Sequence, residues 1–407
     1  MGEPRFKTLI VLTHPIQYMS PILRDTAKHP KLDLTVAYCS LEGAQHKRDP
    51  EFGVEVVWDI PLLEGYSWIH VPNRSPWPGV GRFLGLINPG LWNLIRDGAF
   101  DAVVPLTGYM HATFWISLAA AKSKRQLVLF GGDAHEIAPR DGKVWKTFIK
   151  KRLWPRLFRL ADVVVVPSSG GVALMRSIGI PTERVVLTPY AVDNQWWLEQ
   201  SARVDRASVR AEWGVPEDAS VVLFCAKLQP WKRPHDVLRA FSSAAVENSY
   251  LVVAGDGPLR KQLEQEARSI GLADRVRFLG FVNQTKLPAV YCSADLFVLS
   301  SEYEAFGVVV NEAMLCGCPV IVSDHVGARF DLVRDAETGF VYPVGNVEFL
   351  ARLLGEILPA RDRLKRMANA ARERMANWSP AENIEGLVEA IERAATFRRA
   401  SQNRQRQ

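Results

Sequence analysis

Two carboxylates, Glu304 and Glu312, flank a glycine in the run Ser300-Ser301-Glu302-Tyr303-Glu304-Ala305-Phe306-Gly307, which leads through Val308–Asn311 to Glu312. A helix start leaves backbone N–H groups unpaired, so the amides of Phe306 and Gly307 offer a seat for an anion. Carboxylates only accept hydrogen bonds when ionised. One acceptor on each side of an anion seat suits the hydroxyl groups of a sugar nucleotide. A lone glutamate at position 312 would read as a solvated helix residue; its partners in the run give it a function.

The surrounding segments must position this run. Apolar strands, Leu296–Leu299 and Pro319–Val322, bracket it. Strand, glycine loop, helix and strand form the unit in which α/β proteins hold phosphorylated ligands. Near-continuous Val/Leu/Ile runs recur along the chain, as a parallel sheet covered on both faces requires. In the first half they are Thr8–Leu12, Leu34–Cys39, Ala102–Leu106, Leu127–Phe130, Val163–Val166 and Val185–Leu187. In the second they are Val221–Cys225, Leu251–Ala254, Val276–Leu279, Leu296–Leu299, Val320–Val322 and Phe340–Tyr342. Amphipathic helices such as Leu259–Ile270 lie between them. The stretch from Pro50 to Gly98, rich in Pro, Gly and Trp, reads as long connections. The polar segment Glu199–Arg203 reads as a linker.

The predicted architecture is two doubly wound, Rossmann-like α/β domains facing a central cleft. Their expected limits are 1–195 and 196–378. A helix over 379–396 is expected to cross back to the first domain, followed by a disordered basic tail, 397–407.

Composition sets wider bounds. A chain of 407 residues with 48% hydrophobic and 23% charged residues is an ordinary globular protein long enough for two domains. No apolar run is long enough for a spanning helix, and the N-terminus lacks a signal-peptide layout, so a cytoplasmic protein is expected. The five cysteines show no metal-ligand spacing; Cys316-Gly-Cys318 is too tight for a zinc knuckle and has no His partner. They read as reduced, largely buried thiols. The net charge of +6 fits nucleic acid, an anionic membrane or a phosphorylated substrate, or a merely basic surface.

The second half resembles glycosyltransferase family 4, retaining enzymes of GT-B fold that use nucleotide-activated sugars. The resemblance rests on Glu304-Ala-Phe-Gly-Val-Val-Val-Asn-Glu312 with Gly317-Cys318-Pro319-Val320, on Gly255-Asp256-Gly257-Pro258, on Ala294–Val298, on Thr338-Gly339-Phe340 and on Tyr190-Ala191-Val192-Asp193. It implies that Glu304 bonds hydroxyls of the donor sugar, with the Ala305, Phe306 and Gly307 amides beside the sugar and diphosphate. Glu312 would hold the ribose hydroxyls, Gly255 and Gly257 would border the donor, and the base would meet backbone near Val282. The segment Lys227-Leu228-Gln229-Pro230-Trp231-Lys232-Arg233 matches the family's Gly-Arg-Leu…Glu-Lys-Gly, with two departures. Lys227 stands where Arg is usual, a point charge in place of a bidentate fork, and Trp231 and Arg233 replace Glu and Gly. Lys227 and Lys232 are the expected diphosphate-binding pair, stabilising the charge that develops as the glycosidic bond breaks.

The first half departs further. Thr13-His14-Pro15-Ile16-Gln17-Tyr18 follows the first strand, where relatives carry a Gly-rich loop. His14 and Tyr18 are candidates for acceptor or phosphate contacts, with His14 equally readable as a helix cap. His111, after Thr107-Gly108-Tyr109-Met110, falls near the family's histidine beside the reacting sugar; Asp133, His135 and Glu136 compete with it. A retaining transfer needs no general base, since the departing phosphate oxygen can take the acceptor's proton. His111 is therefore assigned to positioning.

Lys143–Arg159 is dense in Lys and Arg with Trp145, Phe148, Trp154 and Phe158 between, interrupted by Pro155. One face is expected to pack on the sheet; the others suit either solvent or an anionic membrane at whose inner face the chain would act. The leading expectation is a retaining, metal-independent hexosyltransferase without cofactor, moving a sugar from a UDP- or GDP-sugar to a glycan or lipid-linked acceptor. A sugar-nucleotide epimerase or phosphorylase of the same fold, or a basic nucleic-acid-binding protein, are the alternatives. An epimerase needs acid/base residues around the sugar, a phosphorylase a pyridoxal-phosphate lysine, and a nucleic-acid binder a continuous basic stripe. None is visible.

Overall fold

The computed structural model describes residues 5–44, 47–48, 55–138 and 143–406. Met1–Pro4 of the expected N-terminal layout, 50–54 of the proline-rich stretch and Gln407 lie outside these. The chain divides into two compact units. Unit 1 comprises Met1–Gln45, Pro61–Tyr190 and Pro380–Gln407, and unit 2 comprises His46–Ile60 and Ala191–Ser379.

The strands in chain order begin with β1 (Phe6–Leu12), β2 (Leu32–Tyr38), β3 (Lys47–Arg48), β4 (Glu55–Val56), β5 (Ser67–His70), β6 (Ala102–Pro105), β7 (Leu127–Phe130), β8 (Val163–Val166) and β9 (Val185–Leu187). They continue with β10 (Ser220–Cys225), β11 (Ser249–Ala254), β12 (Val276–Gly280), β13 (Leu296–Leu299), β14 (Val320–Ser323) and β15 (Gly339–Tyr342). Unit 1 holds a seven-stranded sheet in the order β5-β2-β1-β6-β7-β8-β9, with its strands paired in parallel. Alternate residues of β1 enter opposite cores, as the pleat demands. Leu9 and Val11 pack in the cluster containing Phe114 and Leu118 of the helix Ala112–Ser123. Ile10 and Leu12 pack with Leu387 and Ile391 of the helix Pro380–Arg406. Unit 2 holds a six-stranded parallel sheet, β12-β11-β10-β13-β14-β15, and β3 and β4 form a separate antiparallel pair.

Four expectations change. The stretch read as connections contains β5 and the helix Gly90–Asp97. β5 is a short edge strand with four exposed residues, so it lacks the apolar run that marks a buried strand. The segment read as a linker is helical, Asn194–Ser201, capped by Asp193, whose side chain accepts from the Trp196 amide. Its one buried anchor, Trp197, packs on Tyr291. The unit boundary falls at Tyr190/Ala191 rather than at 195/196. Finally, the tail expected to be disordered from 397 continues the last helix to Arg406.

Candidate functional site

The strand order of unit 2 reverses between β10 and β13, and connections leaving the carboxyl ends of two such strands diverge and open a crevice. The loops at this switch point are the ones carrying Lys227 and Lys232, after β10, and Ser300–Gly307, after β13. They are fastened together. Ser300 Oγ donates to the carbonyls of Lys232 at 2.8 Å and Arg233 at 2.9 Å, and the Glu302 amide donates to Trp231 O at 2.7 Å. Lys232 Nζ forms an ion pair with Glu304 Oε2, and Ser301 Oγ donates to the same oxygen at 3.4 Å. Both members of the pair are partly exposed, at 17% and 19%.

The turn from Glu304 to Gly307 is pinned on its other side. The Gly327 amide donates to Glu304 O at 3.0 Å and the Ala328 amide to Phe306 O at 2.8 Å. Phe306 is buried and stacks on Trp378, ring centres 6.0 Å apart. Gly307 opens the helix Val308–Leu315 with φ of 96°, a conformation that favours glycine; a Cβ there would lie 3.1 Å from Glu304 Cγ. Glu312, on that helix, is 5% exposed, and Tyr291 Oη donates to its Oε2 at 2.9 Å. Burial pushes its carboxyl up from 4.5 to about 8, against the lowering effect of the tyrosine hydrogen bond. The carboxyl expected to reach a ribose is thus lodged beneath the surface. Nothing in the sequence around Tyr291 signals this partnership.

Gly255 and Gly257 stand at close approaches of backbone to backbone. A Cβ on Gly255 would fall 2.0 Å from Ala226 O, and one on Gly257 2.7 Å from Leu228 O. The Ala226 amide donates to Ala254 O at 3.1 Å and the Leu228 amide to Asp256 O at 2.9 Å. These glycines admit the close approach of the loop that carries Lys227. Val282 lies in the loop after β12, half-buried. Beside it the side chain of Asn283 donates to Val57 O at 2.6 Å, and Phe281 meets Trp58 edge-on. Val57–Asp59 therefore belong to this end of unit 2, a feature hidden inside the stretch read as connections.

In unit 1 the reversal lies between β1 and β6, so the loops bearing His14 and Tyr18 and the loop leading to His111 both occupy its switch point. His14 Nδ1 bonds the Thr13 hydroxyl at 2.9 Å, and Tyr18 meets Tyr190 edge-on. Tyr18, not His14, stands at the cap of the helix Met19–Lys28. His111, assigned to positioning, is held by backbone. Its Nδ1 lies 2.6 Å from Thr107 O and its Nε2 2.7 Å from Val80 O, so backbone carbonyls occupy both edges of a buried ring. The ring thus bridges the loop after β6 and the segment around Val80. Asp133 and His135 follow β7, one strand away from the reversal; Asp133 is exposed and His135 buried. Among the described residues no group of three or more His, Cys, Asp or Glu is placed to hold a metal ion.

Comparison with known proteins places these two sheets. Residues 205–374 match the family model of glycosyl transferases group 1, and residues 33–191 match the glycosyl transferase 4-like domain. The chain belongs to the family 4 type of glycosyltransferases. This family 4 chain is 32% identical over 230 residues to D-inositol 3-phosphate glycosyltransferase of Nocardia farcinica, covering 54% of the chain and 50% of that protein. It is 30% identical over 232 residues to N-acetyl-alpha-D-glucosaminyl L-malate synthase of Bacillus anthracis, covering 57% and 59%. The match spans about half the length of these curated relatives. Among solved structures, Anabaena Alr3699/HepE in complex with UDP and glucose superposes with a TM-score of 0.71 at 19% identity, over 95% of this chain and 100% of that one. A glycosyltransferase from Rickettsia africae gives 0.73 at 16%, over 96% and 99%. At such identities the likeness concerns the fold, which is GT-B: two parallel-sheet α/β domains.

Proposed function

We propose that this chain is a retaining glycosyltransferase that moves a hexosyl group from a UDP- or GDP-sugar to an acceptor hydroxyl in glycan biosynthesis. The observation that carries the reading is the Lys232–Glu304 ion pair at the switch point of unit 2, beside the pinned turn that ends at Gly307. A diphosphate offers Lys232 a denser anion than one carboxylate does. On donor binding the ammonium turns to the phosphates, and Glu304 is released to accept hydrogen bonds from the hydroxyls of the sugar. The pair thus holds both groups ready and couples recognition of diphosphate and sugar. Lys227 supplies the second positive charge. UDP is the first diphosphate to test, because the HepE structure holds it.

In the reaction the bond between the sugar C1 and the phosphate oxygen breaks, and a bond from C1 to the acceptor oxygen forms on the same face. The acceptor's proton passes to the departing phosphate oxygen, giving a nucleoside diphosphate and a glycoside. Fixed lysine charges meet the charge developing on the leaving group, a contribution of about 10² in rate for one such group. Neither metal nor organic cofactor is required by this scheme. We assign acceptor contacts to unit 1, with His14 and Tyr18 as the residues to test.

A thermal-shift panel of UDP, GDP, ADP and their sugars tests the reading, run on the native chain and on Lys232→Ala. A rise in melting temperature with one nucleotide family, diminished in the variant, supports it; no rise with any nucleotide sinks it.

A further inference from the structure

The helix Val144–Phe158 of unit 1 is turned the opposite way from an ordinary amphipathic helix. Its core side is narrow: Trp154, Leu157 and Phe158 are buried, with Trp154 Nε1 donating to Tyr109 Oη at 3.0 Å and Phe158 packed near Phe130. Its outer side carries Val144, Trp145, Phe148, Ile149 and Leu153, exposed at 82%, 59%, 67%, 42% and 55%. At about 100° per residue these five cover about half the helix circumference. Five adjoining apolar side chains make a patch, not the scattered exposure normal for a soluble surface.

The charge along this helix has one sign. From Lys143 to Leu160 the chain carries Lys143, Lys146, Lys150, Lys151, Arg152, Arg156 and Arg159 and no acidic residue. Lys151, Arg152, Arg156 and Arg159 are exposed, and none of them forms an ion pair among the described residues. The apolar mass lies in the first turns, while Arg152 and Arg156 share the outer face further along. Their long stems can lie along an apolar surface and keep the guanidinium groups at its polar margin. Aromatic and aliphatic side chains below a rim of arginines suit the boundary between acyl chains and anionic headgroups.

We propose that the outer face of the helix Val144–Phe158 docks on an anionic lipid bilayer. The chain then lies on the membrane; among the described residues no helix is long and apolar enough to cross one. A second protein or a second copy of this chain would satisfy the apolar face but leaves the run of basic residues along the helix without a reason. The proposal needs neither donor nor acceptor, so its failure would leave the transferase reading untouched.

Co-sedimentation of the full chain with vesicles tests it, comparing phosphatidylcholine alone with an equal mixture of phosphatidylcholine and phosphatidylglycerol. Binding to the mixed vesicles alone, weakening as salt rises, is expected. Arg152→Gln with Arg156→Gln should lower affinity about 30-fold, and Phe148→Ser with Trp145→Ser at least about 10-fold. All four side chains are exposed, so melting temperatures should hold. Hydrogen exchange of the native chain supplies a second readout, with slowing over 144–153 on addition of mixed vesicles. Three results would each overturn the proposal: no sedimentation at low salt, unchanged binding in both variants, or a dimer in light scattering that Phe148→Ser dissolves.

Discussion

Glu312→Gln isolates the energetic consequence of burying a carboxyl inside the candidate site. The native carboxyl is raised from 4.5 to about 8 by burial. The folded state therefore holds the proton more tightly than the unfolded state. Its contribution is fully favourable below pH 4.5, where both states are protonated, and is lost as pH rises to about 8. A shift of this size corresponds to about 5 kcal/mol over the whole range, of which about 2.5 kcal/mol falls between pH 6 and pH 9. Glutamine keeps the shape and cannot ionise. Relative to the native chain, the variant should become more stable by about 2.5 kcal/mol on going from pH 6 to pH 9. For a unit of this size that is a relative gain of about 5–10 °C in the melting transition. Differential scanning of both proteins at the two pH values reads the gap directly. A gap that stays constant, or widens toward acid, would refute the buried, proton-holding geometry drawn from Tyr291 and the helix Val308–Leu315.

Further expectations concern other parts of the chain. Gly255→Ala drives a methyl group against Ala226 O and should cost about 3 kcal/mol, seen as a lowered melting temperature together with weakened diphosphate binding. His111→Ala removes a buried ring whose two nitrogens face backbone carbonyls and should lower stability by about 2 kcal/mol while leaving turnover of the folded enzyme within a few-fold. A loss of about 10³ in turnover at unchanged stability would instead return His111 to the reaction. Cys292, lowered to about 7 by its hydrogen bond with Cys316, should be the first thiol alkylated by iodoacetamide, with a rate rising through that pH. Cys39 and Cys225 are pushed up to about 12 by burial and should stay unreactive until the chain unfolds.

The parallel strands were legible because each is a short, nearly unbroken run of Val, Leu and Ile with two buried faces; β10 and β13 are such runs. β5 was not, because an exposed edge strand carries no such run. Glu199–Arg203 looks like a linker because a single tryptophan, Trp197, anchors its helix, and one buried residue makes no period. The donor-side residues were legible as a pattern, and the structure brings Lys232 and Glu304 into contact. What each member does was less legible. The burial of Glu312 depends on Tyr291 from another helix, and the need for Gly255 depends on the backbone at Ala226. Such partnerships arise from packing between distant segments, which spacing along a chain does not encode. The histidines show the same limit: His111 has a reactive side chain and a suggestive position, yet its neighbours at Thr107 and Val80 give it a fastening role.

Calorimetric titration of the intact chain with UDP and GDP, repeated on Lys232→Ala, tests the central claim most directly. One saturable site for a nucleoside diphosphate is predicted, weakened at least about 10-fold when the ammonium is removed, as loss of a charge-assisted contact worth about 1.5–3 kcal/mol requires. Saturable binding that ignores Lys232, or no binding of any nucleoside diphosphate, would contradict the account.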